Sequence, residues 1–169
     1  MKQIFQNRSI RSFQFTNSVE ESAFLERISP KRIVTVDESC GQNSICLVGS
    51  NSLTNDVEFV VSFRSDCNEE DLNLVFWNDL MIVDSGKKVF FVGDEIVVRT
   101  SIELTSPLIG LYVISDDELL ILEETYMQIV DRAGRILRSE LFDLITSTTI
   151  EKNRLVLQTD SGVRKVDLT

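Results

Sequence analysis

From Lys31 onward the chain is a succession of short apolar runs separated by turn-forming residues, and that pattern excludes most folds. Runs occur at 33–36, 45–48, 57–63, 72–77, 80–83, 89–92, 95–100, 111–114, 119–122, 127–130, 136–141, 144–150, 154–158 and 163–168. Each is four to seven residues long and rich in Val, Ile, Thr and aromatics, the composition of strands. Between them stand Asp84-Ser85-Gly86, Gly93-Asp94, Asp131-Arg132-Ala133-Gly134 and Asp160-Ser161-Gly162. An Asp side chain can accept from the backbone two residues on, and Gly takes positive φ without strain. Strands joined by so few residues pair as antiparallel hairpins, so the predicted class is all-β.

The pattern also repeats. Residues 111–131, LYVISDDELLILEETYMQIVD, read as a complete antiparallel meander around two acidic turns. With Gln42, Asn78, Asp117 and Asn153 in register, each position ends one β run and begins another, at spacings of 36, 39 and 36 residues. The two Asp-Ser-Gly turns fall six and seven residues past their register positions. A period of this length is close to that of a propeller blade, a meander of three or four short strands. Four such repeats are predicted, as a partial or small propeller; the alternative is a non-repetitive β-sandwich or barrel.

One segment breaks the β pattern. Ser18-Val19-Glu20-Glu21 has the form of a capping box, Phe24, Leu25 and Ile28 follow at helical spacing, and Pro30 stops the element. A short helix over 19–28 is therefore predicted, placed to cover a sheet face or edge. Upstream, Ile4, Phe5, Ile10, Phe13 and Phe15 alternate well enough for one or two strands. The chain is read as a single domain, 1–169, with a strand and helix cover at 1–32 and repeated meanders at 33–169.

These residues resemble β-propeller blades of the WD-repeat and quinoprotein kind over about residues 33–169, with 135–140 resembling the outer strand that follows an interblade turn. The chain lacks the Trp-Asp and glycine-tryptophan signatures of those families, and its length allows a partial or four-bladed arrangement. The resemblance carries no ligand residues with it.

Chemistry is limited by what is missing. The chain has no histidine, which removes Ser-His-Asp and Cys-His relays, an imidazole base and His metal ligands. It contains no P-loop, no G-x-G-x-x-G and no calcium-loop pattern. Cys40, Cys46 and Cys67 fit neither a disulfide framework nor a metal knuckle and are read as inert thiols. A carboxylate pair remains the one conceivable catalytic device, but most acidic residues lie in turns, where solvated carboxylates are expected. The chain is read as a non-enzyme without cofactor or metal.

Charge is more informative. Net charge is −10, and residues 41–131 alone carry four basic and seventeen acidic side chains. Such a balance disfavours nucleic acid and anionic membranes as partners. No secretory leader is evident and no apolar run approaches the roughly 18 residues needed to span a bilayer, so the expected location is the cytoplasm. The acidity gathers in two clusters, Asp66, Glu69, Glu70 and Asp71 in one, and Asp116, Asp117 and Glu118 followed by Glu123 and Glu124 in the other. These, with Trp77 and Tyr126 as aromatic anchors, are the candidate contacts for a basic protein partner. The alternative is scattered charge that serves solubility.

A small, acidic, motif-free chain of this kind resembles the immunity proteins that neutralise basic nuclease toxins in bacterial competition, contact-dependent growth inhibition included. The resemblance implies carboxylates that pair with the toxin's Lys and Arg and occlude its substrate surface. The alternative function is a propeller-like scaffold or regulatory subunit, bound through apolar rather than charged surface.

Overall fold

The structure is a computed structural model that describes residues 2–5, 7–37, 41–66 and 68–168. It comprises two compact units, Met1–Ile102 and Glu103–Thr169, each built on two sheets.

In the first unit, β1 (Lys2–Phe5), β2 (Arg8–Phe15), β3 (Ile33–Asp37), β4 (Asn43–Asn51) and β5 (Val57–Ser65) form a sheet of order β1-β2-β4-β5-β3. A second sheet runs β6 (Leu74–Trp77), β7 (Leu80–Asp84), β8 (Lys88–Gly93), β9 (Val98–Glu103) in plain sequence order. The central strands of the first sheet bury both faces, and period-two alternation decides which side chain goes where. Ile45 and Leu47 face the second sheet, packing with Phe59, Phe63, Met81, Phe90 and Val92. Cys46 and Val48 point the other way, under Phe24 of helix α1 (Ser18–Ile28).

The helix forms where the sequence predicts it, but a different residue caps it. Asn17 is the N-cap, its side chain accepting from Glu20 N at 2.9 Å. Ser18 is the first residue of the helix instead. Glu21 does not reach back to the cap; its carboxylate accepts from Ser62 Oγ at 2.7 Å and from Cys46 Sγ at 3.6 Å, tying the helix to the sheet. Ser29 ends the helix in the left-handed region at φ 43° and donates its N–H to Leu25 O.

One pairing breaks the antiparallel expectation. β3 runs parallel to β5, on the far side from β4. Gly41, two residues before β4, lies close against Ser65 at the end of β5. Its φ is +116°, and a Cβ there would lie 2.4 Å from backbone atoms of Ser65. The predicted run 95–100 is also displaced: Ile96 takes φ 55° in a turn, and β9 starts at Val98. Ile96 is 4% exposed in the core shared by the two sheets, so burial holds a β-branched residue in a backbone region it rarely adopts.

The second unit holds β10 (Leu108–Val113), β11 (Leu119–Glu123), β12 (Tyr126–Val130) and β13 (Ile136–Leu141) in one four-stranded meander. β14 (Ile145–Glu151), β15 (Arg154–Thr159) and β16 (Gly162–Asp167) make a meander of three. Their shared core is Leu120, Leu122, Met127 and Ile129 against Ile145, Leu155, Leu157, Val166 and Leu168. The 136–141 run is the outer strand of its own sheet, as the propeller resemblance implies. The turn before it joins two strands of that sheet rather than two blades.

Three register positions, Asn78, Asp117 and Asn153, lie in the turn between the first and second strands of their sheets. The fourth, Gln42, stands immediately before β4. Six residues past the three turns stand Asp84, Glu123 and Thr159, all buried polar side chains at the end of the second strand. A backbone N–H at or one residue past each of these positions fastens the segment that leads into the sheet: Asp84 N to Asn73 O at 3.1 Å, Glu124 N to Pro107 O at 2.9 Å, Asp160 N to Leu144 O at 3.2 Å. The repeat is thus a hydrogen-bonding scheme as well as a spacing.

Candidate interaction sites

The acidic residues nominated by sequence separate into three groups. In the first unit Asp66, Glu70 and Asp71 are exposed, and Glu69 is half-buried. Glu69 accepts from Ser12 Oγ at 2.6 Å while its N–H donates to Gln14 at 2.8 Å, so it anchors the 3-10 turn Glu69–Asp71 to β2. Asp66 faces Lys87 Nζ at 3.9 Å and accepts from Gln42 N at 3.2 Å. Trp77 is 1% exposed, a core residue and not an anchor for a partner.

In the second unit the nominated cluster divides between opposite ends of one sheet. Asp116, Asp117 and Glu118 occupy the β10–β11 turn, whereas Glu123, Glu124 and Tyr126 lie at the β11–β12 turn. The five-residue β11 separates them by about 16 Å. Glu123 is a correction to the sequence reading: it is 0% exposed. Its carboxylate accepts from Thr105 N at 2.5 Å, Thr105 Oγ1 at 2.8 Å, Ser106 N at 2.7 Å and Gln128 Nε2 at 3.2 Å. A buried carboxylate requires such partners, and these consume it as a contact residue.

Nor is the β10–β11 turn surrounded by acid alone. Asp117 borders an open depression of about 350 Å³ that it shares with Asp131, Arg132, Ala133 and Arg135 of the β12–β13 turn. Asp131 accepts from Arg135 N and Ala133 N, both at 2.9 Å, and from Arg135 Nε at 2.6 Å. The Arg135 backbone N–H and its other donors hold the Asp131 carboxyl below the ordinary carboxylate range. With Arg135 paired to Asp131, Arg132 leaves this turn one net positive charge, which partly offsets the negative field of Asp116–Asp117–Glu118.

Cys46 is 0% exposed and free, and burial, reinforced by the Glu21 charge, pushes its thiol up to about 12. It is inert at neutral pH. Cys40 and Cys67 lie outside the described residues. Among the described residues no group of three or more His, Cys, Asp or Glu is placed to hold a metal ion, and no helix is long and apolar enough to cross a membrane.

What sequence reasoning missed is apolar. The two outer strands β9 and β13 hold equivalent places in their sheets but treat solvent oppositely. β9 alternates, presenting Arg99, Ser101 and Glu103 to solvent while Val98 and Ile102 are half-buried, the ordinary protection of a sheet edge. β13 exposes Ile136 (55%), Leu137 (53%) and Leu141 (77%). A register shift pairs Val130 with Ile136 and Ile129 with Arg138, leaving Leu137 without a partner on β12. Leu141 stands opposite the half-buried Tyr126, with Leu144 (43%) close behind in sequence. The visible signal was Ile136-Leu137 itself: neighbours on a strand point to opposite faces, so at an edge one apolar side chain faces out.

Four sheets in succession, three of them meanders with buried second strands and a repeated fastening, define an all-β protein of the propeller-like class. Compared by sequence, the chain matches no protein-family model and no curated protein. Compared by structure, it is similar to BamB from Moraxella catarrhalis, with TM-score 0.54 and 18% identity over 72% of this chain and 39% of that one. It is also similar to BBS1N in a complex with ARL6DN, soaked with mercury, with TM-score 0.54 and 11% identity over 75% of this chain and 47% of that one. A lead-soaked crystal of the same complex gives TM-score 0.52 and 12% identity over 73% and 42%. The chain spans less than half the length of these structures, and at such identities the likeness is one of fold.

Proposed function

We propose that this protein is a non-catalytic interaction module, a propeller-like platform that docks onto another protein through apolar surface at the outer edge of the third sheet. The supporting observation is the exposure of Ile136, Leu137 and Leu141 on β13, where the equivalent strand β9 is polar. An edge strand offers unpaired backbone groups as well as side chains, so a partner that covers it gains hydrogen bonds and apolar burial together. Fully burying a Leu or Ile side chain contributes about 1.5–3 kcal/mol, so three half-exposed ones supply an appreciable share of a specific interface. One of the matched structures is itself a complex, BBS1N with ARL6DN, which accords with this reading of the fold without identifying a partner.

The test is affinity capture from the native host with the whole chain and with a Leu137→Lys/Leu141→Lys variant. The reading requires one partner captured by the first and lost by the second, in a complex that survives about 1 M salt, where the Debye length is about 3 Å. A complex equally retained by the variant refutes it.

The narrower alternative is neutralisation of a basic nuclease toxin by the exposed carboxylates Asp66, Glu70, Asp71, Asp116 and Asp117. It requires the opposite behaviour: association that slows steeply with salt, and loss of binding on reversal of those charges with β13 intact. Glu123 takes no part in either reading.

A further inference from the structure

We propose that the occupant of the β13 edge is β13 of a second copy of this chain, the two strands pairing antiparallel about a two-fold axis at Ser139. The pairing rests on the docking surface proposed above and supplies its partner. No described strand lies outside β13, although the chain goes on to build a further sheet after it.

The backbone restricts which residues can meet. Phe142 N donates inward to Thr125 O at 2.9 Å, and β12 pairs Tyr126 with Leu141, Met127 with Glu140, Gln128 with Ser139 and Ile129 with Arg138. Alternation along an antiparallel ladder then turns the N–H and C=O of Leu141 and Ser139 outward and those of Glu140 and Arg138 inward. A second strand pairs outward residues only with outward ones, so a two-fold axis falls on a residue and never between two.

Charge chooses among the registers that remain. An axis at Arg138 sets that residue against its own copy, and an axis at Glu140 does the same for the carboxylate; like charges directly opposite are destabilising. An axis farther along shortens the overlap of these six-residue strands. With the axis at Ser139, each Arg138 faces the other copy's Glu140 across a non-hydrogen-bonded pair, where Cα atoms approach to about 4.5 Å. The same register sets the exposed Leu137 beside the exposed Leu141 at both ends.

The neighbouring charges favour this arrangement. Within one chain Arg138 Nη2 stands 3.4 Å from Glu140 Oε2, and Nη1 donates to Asp167 O at 2.7 Å. The Asp167 carboxylate is engaged by Arg154 Nε at 2.8 Å. Two copies therefore join two Arg138–Glu140 pairs into one alternating network of four charges. On the equivalent strand β9 the arginine, Arg99, is held instead by Asp79 and Asp94 of the same chain.

The test is sedimentation of the full chain, of Arg138→Glu, of Glu140→Arg and of the two variants mixed. The native chain is expected to dimerise as concentration rises, with amide exchange slowed at Ser139 and Leu141. Either substitution alone places like charges at both contacts and is expected to weaken the dimer at least about tenfold. An equimolar mixture sets two acids on one strand against two bases on the other and is expected to restore the dimer, which a misfolded variant would not do. A dimer indifferent to both substitutions, or a mixture no tighter than its components, overturns the proposal. So does a native chain that stays monomeric at every concentration. In that case a host partner captured by the native chain and lost with Leu137→Lys/Leu141→Lys leaves the docking reading standing, whereas absence of capture removes both.

Discussion

Glu123→Ala separates a structural carboxylate from a contact residue. The side chain is 0% exposed and accepts from four donors, two of them the backbone N–H groups of Thr105 and Ser106. Hydrogen bonds to a charged group contribute about 1.5–3 kcal/mol each, but water entering the vacated space recovers part of that for the orphaned donors. Removing one partner from a buried charged network costs about 3–5 kcal/mol, so a loss of about 4 kcal/mol is expected. For a chain of this length that lowers the thermal midpoint by about 12 °C. Glu123→Gln keeps an acceptor for Thr105 and Ser106 and turns its amide toward Gln128, whose own amide can flip to accept; about 1–2 kcal/mol is expected. Urea unfolding of the three proteins measures the series, and amide exchange across 103–107 locates the damage. A loss below about 1 kcal/mol for Glu123→Ala, or weakened partner binding at unchanged stability, would refute the argument.

Two glycines test backbone against space. Gly41→Ala places a Cβ 2.4 Å from the Ser65 backbone at φ +116°, whereas Gly162→Ala at φ +123° meets nothing within 4 Å. Thermal unfolding should register about 1 kcal/mol for Gly162→Ala and at least about twice that for Gly41→Ala. Asp84 is raised above the ordinary carboxylate range by burial, against hydrogen bonds from Gly86 and Asn73. Its folded state therefore holds the proton more tightly than the unfolded chain, and stability falls as pH rises from the ordinary carboxylate range through the raised one. Asp84→Asn should be at least as stable as the native chain at neutral pH, with the advantage fading below the ordinary carboxylate pKa in urea titrations at several pH values. Cys46, in a Cys40→Ser/Cys67→Ser background, should resist iodoacetamide at pH 8 and react only on unfolding; fast labelling of the native protein would contradict its buried, protonated state.

The all-β class, the single helix and the 36–39-residue period were all legible along the chain, because each rests on local chemistry: β-branched runs, turn residues, and helical spacing closed by Pro30. Asn78, Asp117 and Asn153 mark real turns for the same reason. Glu123 and Glu124 are adjacent acids at a turn, and nothing local distinguishes them. Only folding brings the 105–106 segment onto the end of β11 and encloses one while leaving the other half-exposed.

The same division separates the sites. Sequence alone determined that strands and turns alternate with a regular period, where charge accumulates and which catalytic groups are missing. The tertiary structure decided which carboxylates reach solvent, that the two acidic turns of the third sheet point to opposite ends, and that β13 is the outer one of the described strands in its sheet. These depend on strand order and burial, which join residues far apart in sequence, whereas propensity and pattern report only on near neighbours. Adjacent Ile136 and Leu137 signal in sequence that one apolar side chain faces away from the core if the strand is an edge, and the strand order, with no described strand outside β13, decides that it is one.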